Sequence, residues 1–321
     1  MQTTSKAQKF LKSKTFILLI LLAMEVVVFT VLSQGLYINI INIRNILNSI
    51  VITAFLTVGA VLLMVRGYVD ISASAVGCFT TMMVASLLAA GIPWPLAIIF
   101  CLLASAVVGC VNAILITKCG FQPFIVTMAM AQVLKGLQYI IFGTNPIAIK
   151  DPTMVALGTH RIAGLIPYTL ILALICIAVY GFILSKTYFG KSIYMIGGNP
   201  QAANLAGLNP KRMAYILFIN DSALAGLAGC LLAFRLKSGA LDSITNGQFT
   251  GMTGAILGGV SFGGGTGGMF GAFIGMLVIS AFKTGLTLLA VPAWWMTFGS
   301  GALLLFALAF DHFASFRRTK S

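Results

Sequence analysis

Acidic residues are scarce in this sequence: 6 of its 321 residues are Asp or Glu, against 20 Lys and Arg. Charged residues make up 8% of the chain, whereas soluble globular domains average about 25%. Because 59% of the chain is hydrophobic, a soluble core could not bury all of the apolar surface. The composition therefore predicts an all-α polytopic membrane protein, with residues 1–321 forming a single membrane domain.

The residues that metal sites and reaction centres need are also few. His160 and His312 stand alone, and the six cysteines form no Cys-x-x-Cys pair. The sequence therefore predicts packed thiols, and no metal site, cofactor or enzyme centre. It contains no Walker-type phosphate loop, so we do not expect the chain to hydrolyse ATP itself. The glycine-rich stretch 258–268 lacks the Lys-Ser/Thr ending of such a loop, and it predicts close helix contacts or a broken helix.

Long apolar runs are abundant, and each transmembrane helix needs about 20 such residues. We place about ten transmembrane helices, of which the run at 249–264 is short and rich in glycine. The predicted spans are 16–36, 46–65, 71–90, 94–117, 124–142, 165–185, 213–234, 249–264, 268–289 and 294–311.

The basic residues predict the orientation of these spans. With the N-terminus inside, most Lys and Arg residues fall in cytoplasmic segments, as the positive-inside rule requires. An odd number of spans would place Arg317, Arg318 and Lys320 outside. We therefore expect both termini in the cytoplasm. The net charge of +14 follows from this topology, so nucleic-acid binding is not predicted.

The longest strongly polar break between the apolar runs is the loop at about 186–212, which carries no acidic residue. Asn199 suits an N-cap and Pro200 suits the first helical position. Gly207 suits a left-handed C-terminal position, and Asn209-Pro210 prevents continuation. The loop therefore predicts a helix of about two turns. Such a helix is unstable alone, so its Ala and Leu side chains should rest on another surface.

The same loop resembles a known family. Gln201-Ala202-Ala203, three residues and then Gly207 are similar to the Glu-Ala-Ala-x-x-x-Gly loop of ABC importer permeases, with Gln in place of Glu. The wider string resembles the ribose and galactose (monosaccharide) branch. The resemblance implies that the short helix is a coupling helix that docks into a cytoplasmic ATPase. We expect Ala203 and Gly207 to carry this docking. The implied coupling residues are Gly198, Asn199, Pro200, Gln201, Ala202, Ala203, Asn204, Leu205 and Gly207.

Other segments agree with that family in order and spacing over about residues 45–311. Leu257 to Gly267 is similar to its Leu-Gly-Gly-x-Ser-x-x-Gly-Gly-x-Gly segment, and Asp70-Ile71-Ser72 resembles its Asp-Leu-Ser. One departure affects chemistry: Gln248-Phe249-Thr250 stands where the family usually has Glu-Leu-Asp. Two acidic groups are therefore absent from this chain.

The resemblance implies a function and a set of partners. The chain would be the permease subunit of an ATP-driven importer in a bacterial inner membrane. It would form the path for a monosaccharide or a similar small polar solute. Its partners would be a cytoplasmic ATP-binding subunit, an extracytoplasmic solute-binding protein, and a second permease copy or related chain. The alternative is an ion-coupled secondary transporter in which Glu25, Lys135 or Asp221 titrates. A membrane enzyme is a third class, without a reaction centre to support it.

Polar groups within the spans are the candidates for a solute path, although each alone is more often a helix–helix contact. Lys135 and Asp221 are a candidate ion pair, or Lys135 approaches the carbonyl ends of a broken helix. Asp70 is expected to cap a helix, and Lys283 to reach toward the membrane surface. The candidate path residues are Asp70, Ser72, Asn112, Gln132 and Asn220.

Overall fold

The computed structural model describes residues 14–299 together with 301, 302 and 305, and most of these residues are helical. The first helices, in chain order, are α1 (Lys14–Leu32), α2 (Ile40–Arg66), α3 (Ala73–Ala89), α4 (Trp94–Thr117), α5 (Pro123–Phe142), α6 (Pro152–Thr159) and α7 (Tyr168–Lys186). They are followed by α8 (Tyr188–Gly198), α9 (Pro200–Leu205), α10 (Pro210–Leu236), α11 (Gly247–Leu257) and α12 (Met269–Leu288).

Seven of the described helices are long and apolar enough to cross a membrane: α1, α2, α4, α5, α7, α10 and α12. Helix α3 is a further apolar helix of 17 residues. Large apolar side chains on α1, α4, α5 and α7 point away from the rest of the described chain, as lipid-facing residues do. The predicted class, an all-α polytopic membrane protein, is confirmed. The count of about ten spans is not.

The weakest predicted span, 249–264, does not form one continuous helix. Helix α11 covers only 11 residues, which is about 16 Å at 1.5 Å per residue. The chain then runs without helix to Gly268. Gly259, Gly264 and Gly265 have positive φ angles of 95°, 89° and 72°, which glycine adopts without steric cost. Half of the predicted span 294–311 lies outside the described residues, as do both termini.

Helices α2 and α10 form the centre, because most residues of both are buried. Helix α10 packs against α2, α3 and α4. Small residues allow these helices to approach closely: a Cβ atom on Gly109 of α4 would lie 2.4 Å from the carbonyl oxygen of Phe218 on α10. A Cβ on Gly229 would lie 2.1 Å from the Oγ1 of Thr80 on α3. Backbone contact therefore holds the bundle together.

Two small sheets and α6 cover one end of the bundle. Strand β1 (Ile147–Ala148) pairs antiparallel with β4 (Ser238–Gly239), with Ile147 opposite Gly239. Strand β2 (Arg161–Ile162) pairs with β3 (Ile166–Pro167). The first sheet ties the segment after α5 to the end of α10. It thereby places residues 240–249 beside the helix bundle.

Gly109→Ala should destabilise the protein by about 1–3 kcal/mol, because its new methyl group has to push α4 and α10 apart. Gly136→Ala is the matched control, since a Cβ on Gly136 meets nothing within 4 Å. Thermal melting of both variants in the same detergent measures the difference. Equal melting temperatures would contradict the close backbone contact.

Candidate coupling helix and solute cavity

The predicted short helix is present as α9, with the predicted ends. The Asn199 side chain accepts hydrogen bonds from the backbone N–H groups of Gln201 at 3.1 Å and Ala202 at 2.9 Å. Gly207 has a φ of +85°, and the N–H of Leu208 donates to the carbonyl of Ala203 at 3.0 Å. Both ends are therefore closed by local hydrogen bonds, as expected of a six-residue helix that cannot persist by propagation alone.

The position of Ala203 on α9 differs from the sequence expectation, which placed its side chain in the docking contact. Ala203 is only 3% exposed within this chain, so it does not line an outward face. It seats α9 in the bundle, where the helix contacts α8 and α10. Leu205, one of the predicted coupling residues, is 90% exposed. Gln201, Ala202 and Asn204 are exposed beside it, and they form the outward face with Leu205.

Four glycines lie where the end of α8, just before α9, meets the end of α2 and the loop before α12. We call Gly67, Gly197, Gly264 and Gly265 the glycine junction. A Cβ on Gly197, at the end of α8, would lie 1.9 Å from the carbonyl oxygen of Val65. The N–H of Gly265 donates to that same carbonyl at 2.8 Å. A Cβ on Gly264 would lie 3.0 Å from the Cα of Gly67. The ends of α2 and α8 and the loop before α12 therefore touch through their backbones.

Sequence reasoning missed part of this junction. It named Gly198, but a Cβ there would meet nothing within 4 Å. The constrained residue is Gly197. Tyr194 was also missed, and its hydroxyl donates to the carbonyl of Gly267 at 2.6 Å. No sequence signal separates Gly197 from Gly198, because the difference depends on which of them faces α2.

Three of the predicted path residues, Asp70, Ser72 and Asn112, form a buried hydrogen-bonded network. Ser72 donates from both its N–H and its hydroxyl to Asp70 Oδ1, at 2.6 and 2.5 Å. Asn112 donates from Nδ2 to Ser72 Oγ at 3.0 Å. All three are at most 6% exposed. Asp70 thus holds the backbone just before α3, which is the capping role that the sequence favoured.

The predicted pair of Lys135 and Asp221 is wrong. Asp221 is 3% exposed and faces Asp70, and a Cβ on Gly59 would lie 1.8 Å from its Oδ1. Lys135 lies elsewhere, with its Nζ 3.3 Å from Oδ1 of Asp242. Sequence reasoning did not consider Asp242, because it lies between predicted spans. Only the return of the chain after β4 brings it to α5.

Asn220 and Gln132 complete the predicted set. Asn220 is partly buried and accepts a hydrogen bond from the hydroxyl of Tyr180 on α7, so it makes a helix–helix contact. Gln132 is exposed and lines a cavity of about 380 Å³ between α3, α5 and residues 242–249. Of the five predicted path residues, Gln132 is the one that lines this space, which we call the solute cavity.

Two helices begin at the solute cavity, α3 and α11. The N–H of Gln248 donates to Ser74 Oγ at 2.8 Å and ties their first turns together. Gln248 is 8% exposed, and its Oε1 has no hydrogen-bond partner among the described residues. Amide and aromatic side chains complete the wall: Gln138, Asn246, Phe124 and Phe249. Such a wall can match hydroxyl groups and the apolar faces of a small polar solute.

Two cations lie beside this region. The ion pair of Lys135 and Asp242 borders the solute cavity, and both side chains are about half exposed, at 51% and 50%. Lys283 was expected to reach toward the membrane surface. Instead its Nζ donates to Thr250 Oγ1 at 2.6 Å, on the wall of an adjoining cavity. That hydrogen bond holds the ammonium group inside the bundle.

Known proteins resemble this chain over most of its length. The family model described as "Branched-chain amino acid transport system / permease component" matches residues 42–308. An L-arabinose ABC transporter permease protein of Azospirillum brasilense is 31% identical over 272 residues, covering 85% of this chain and 80% of that protein. A ribose import permease protein of Bacillus subtilis is 30% identical over 288 residues, covering 89% of each chain.

A galactose/methyl galactoside import permease protein of Salmonella typhimurium is 30% identical over 324 residues and covers 92% of each chain. No solved structure matches this chain. The family match covers the central helices, α9, the glycine junction and the solute cavity. The chain therefore belongs to this family of ABC transport system permease components.

Proposed function

We propose that this chain is the permease subunit of an ATP-driven importer for a monosaccharide or a similar small polar solute. The observation that carries the proposal is α9: a short capped helix, exposed on one face and fixed on the other. The names of the relatives, which are arabinose, ribose and galactose permeases, support the solute class. ATP hydrolysis takes place on a separate subunit. No observation favours the ion-coupled alternative.

The exposed face of α9 is the docking surface in this proposal. Leu205 would enter a cleft of the ATP-binding subunit, with Gln201 and Asn204 beside it. Ala203 keeps α9 against α8 and α10, so α9 moves together with its support. The glycine junction then passes that movement to the end of α2 and to the loop between α11 and α12. Because these contacts are between backbones, little motion is lost in side-chain rotation.

Helix α11 links the two functional regions. Its last turn leads into the glycine-rich loop, and its first turn carries Gln248 and Phe249 of the solute cavity. A shift at the glycine junction would therefore reach the cavity over a helix of 11 residues. We propose that this short connection couples the ATPase cycle to opening of the path.

The rest of the assembly follows from this assignment. Residues 1–321 would form one permease domain of a bacterial inner membrane, with both termini and the 186–212 loop in the cytoplasm. A solute-binding protein would deliver the solute at the opposite side. A second permease copy or a related chain would complete the path. The exposed apolar side chains of α1, α4, α5 and α7 provide surface on which it could pack.

Leu205→Glu should abolish stimulation of the ATP-binding subunit while leaving the permease stable. The added carboxylate would be buried unpaired in the partner's cleft, at a cost that weakens docking by at least about tenfold. Co-purification of the two subunits and ATPase activity in proteoliposomes measure the effect. Ala203→Leu is the contrast, since it overfills a buried position and should lower the melting temperature. Full coupled ATPase activity in Leu205→Glu would refute the docking face.

Gly197→Ala should separate docking from transport. Its methyl group would collide with the Val65 carbonyl and displace α8 from the glycine junction. The ATP-binding subunit should still co-purify, but ATP-driven solute uptake should fall by about tenfold, equivalent to about 1.4 kcal/mol. Gly198→Ala is the matched control, because a Cβ there has open space. Equal uptake by the two variants would show that the junction does not transmit the movement.

A further inference from the structure

A cavity beside the solute cavity is lined by hydroxyl groups and one cation. It has a volume of about 290 Å³ and lies between α2, α11, α12 and residues 243–247. Among the described residues that line it, Lys283 is the only charged one. The hydroxyl groups come from Thr53, Ser243, Thr250, Ser280 and Thr284, among others. Thr245 borders both this cavity and the solute cavity, so the two spaces adjoin.

Lys283 has no counter-charge among the described residues. The salt bridge found there joins Lys135 to Asp242, which leaves that carboxylate already engaged. Asp70 and Asp221 are enclosed in the buried network, and Asp151 caps α6 by accepting the N–H of Met154. Glu25, on α1, forms no salt bridge with Lys283. The partner that Lys283 does have, Thr250, is uncharged. An unpaired cation within a membrane-spanning bundle is costly, and such residues mark solute pathways.

A second group in the same cavity also lacks a partner. Ser280, one turn before Lys283 on α12, is 3% exposed, and its Oγ has no hydrogen-bond partner among the described residues. It lines the cavity together with Lys283. A bound solute would supply the missing hydrogen bond to Ser280 and the missing negative charge to Lys283.

We propose that this cavity, which we call the Lys283 cavity, binds the anionic group of a polyhydroxylated solute. This inference rests on the proposed function and narrows it: the solute is a sugar acid rather than a neutral sugar. The anionic group would pair with Lys283, and the sugar hydroxyls would extend past Thr245 toward the amide groups of the solute cavity. A sugar phosphate shares this chemistry, and the experiment below separates the two.

A cysteine in the cavity can report the charge beside it. Thr53 faces the cavity from α2, opposite Lys283 on α12. Thr53→Cys would be made in the assembled transporter, with Cys110, Cys119 and Cys176 replaced by serine, because these three native cysteines are not fully buried. The labelling rate of this cysteine would be measured with two reagents of opposite charge. Sulfonatoethyl methanethiosulfonate is anionic, and trimethylammonium-ethyl methanethiosulfonate is cationic.

The anionic reagent should react about tenfold faster, since a cation in a low-dielectric cleft concentrates anions. Lys283→Gln should remove this preference, and Lys283→Arg should retain it. Ala131→Cys, on the wall of the solute cavity, is the control whose preference should not depend on residue 283. Equal rates with both reagents at Thr53→Cys would overturn the proposal.

Protection from labelling identifies the solute. Galacturonate should slow labelling of Thr53→Cys at a concentration where galactose does not, and Lys283→Gln should abolish that protection. Protection by glucose 6-phosphate but not by galacturonate would show a phosphate site and overturn the sugar-acid assignment. Galactose protecting as well as galacturonate would overturn the anion site itself.

The labelling of Thr53→Cys tests the anion site separately from the proposed function, because labelling requires neither the ATPase nor import. ATP-driven uptake without any charge preference at Thr53→Cys would leave the importer assignment standing and remove the anion site. A charge preference at Thr53→Cys without ATP-driven uptake would support the anion site and refute the importer assignment.

Discussion

The absence of side chains at the glycine junction is the constraint on which the rest of the structure depends. Three segments far apart in sequence approach within hydrogen-bonding distance there, as the N–H of Gly265 and the carbonyl of Val65 show at 2.8 Å. A methyl group at Gly197 would not fit between them. Because α8 leads from this contact into α9 and the glycine-rich loop joins it to α11, α9 and the solute cavity are connected through continuous backbone contacts.

Buried polar groups fix the second half of that unit. The segment before α3 enters the interior, and Asp70, Ser72 and Asn112 hydrogen-bond to one another there. Because all three side chains are buried, each depends on its neighbours for hydrogen bonds, and the network fixes the position of the first turn of α3. The first turn of α3 then meets the first turn of α11 through Ser74 and Gln248. The solute cavity lies where these two helices begin.

Charge is distributed unevenly around this cavity. Asp242 neutralises Lys135 at its border, whereas Lys283 lies in the adjoining space with only a hydroxyl partner. With so few acidic residues in the chain, each one that is engaged leaves a cation elsewhere uncompensated. The position of Asp242 on the loop after β4 therefore decides that Lys135 has a charged partner and that Lys283 has none among the described residues.

The sequence by itself determined the membrane class, the limits of α9 and the family, because these depend on composition and on local signals such as Asn199, Pro200 and Gly207. It also indicated that 249–264 was a weak span. The tertiary structure alone decided that Ala203 faces inward and Leu205 outward, that Gly197 and not Gly198 is constrained, and that Lys135 meets Asp242. It also turned three of the five predicted path residues into a buried network. Each of these depends on which segments meet after the chain has folded, and periodicity along a sequence carries no information about contacts between different helices and loops.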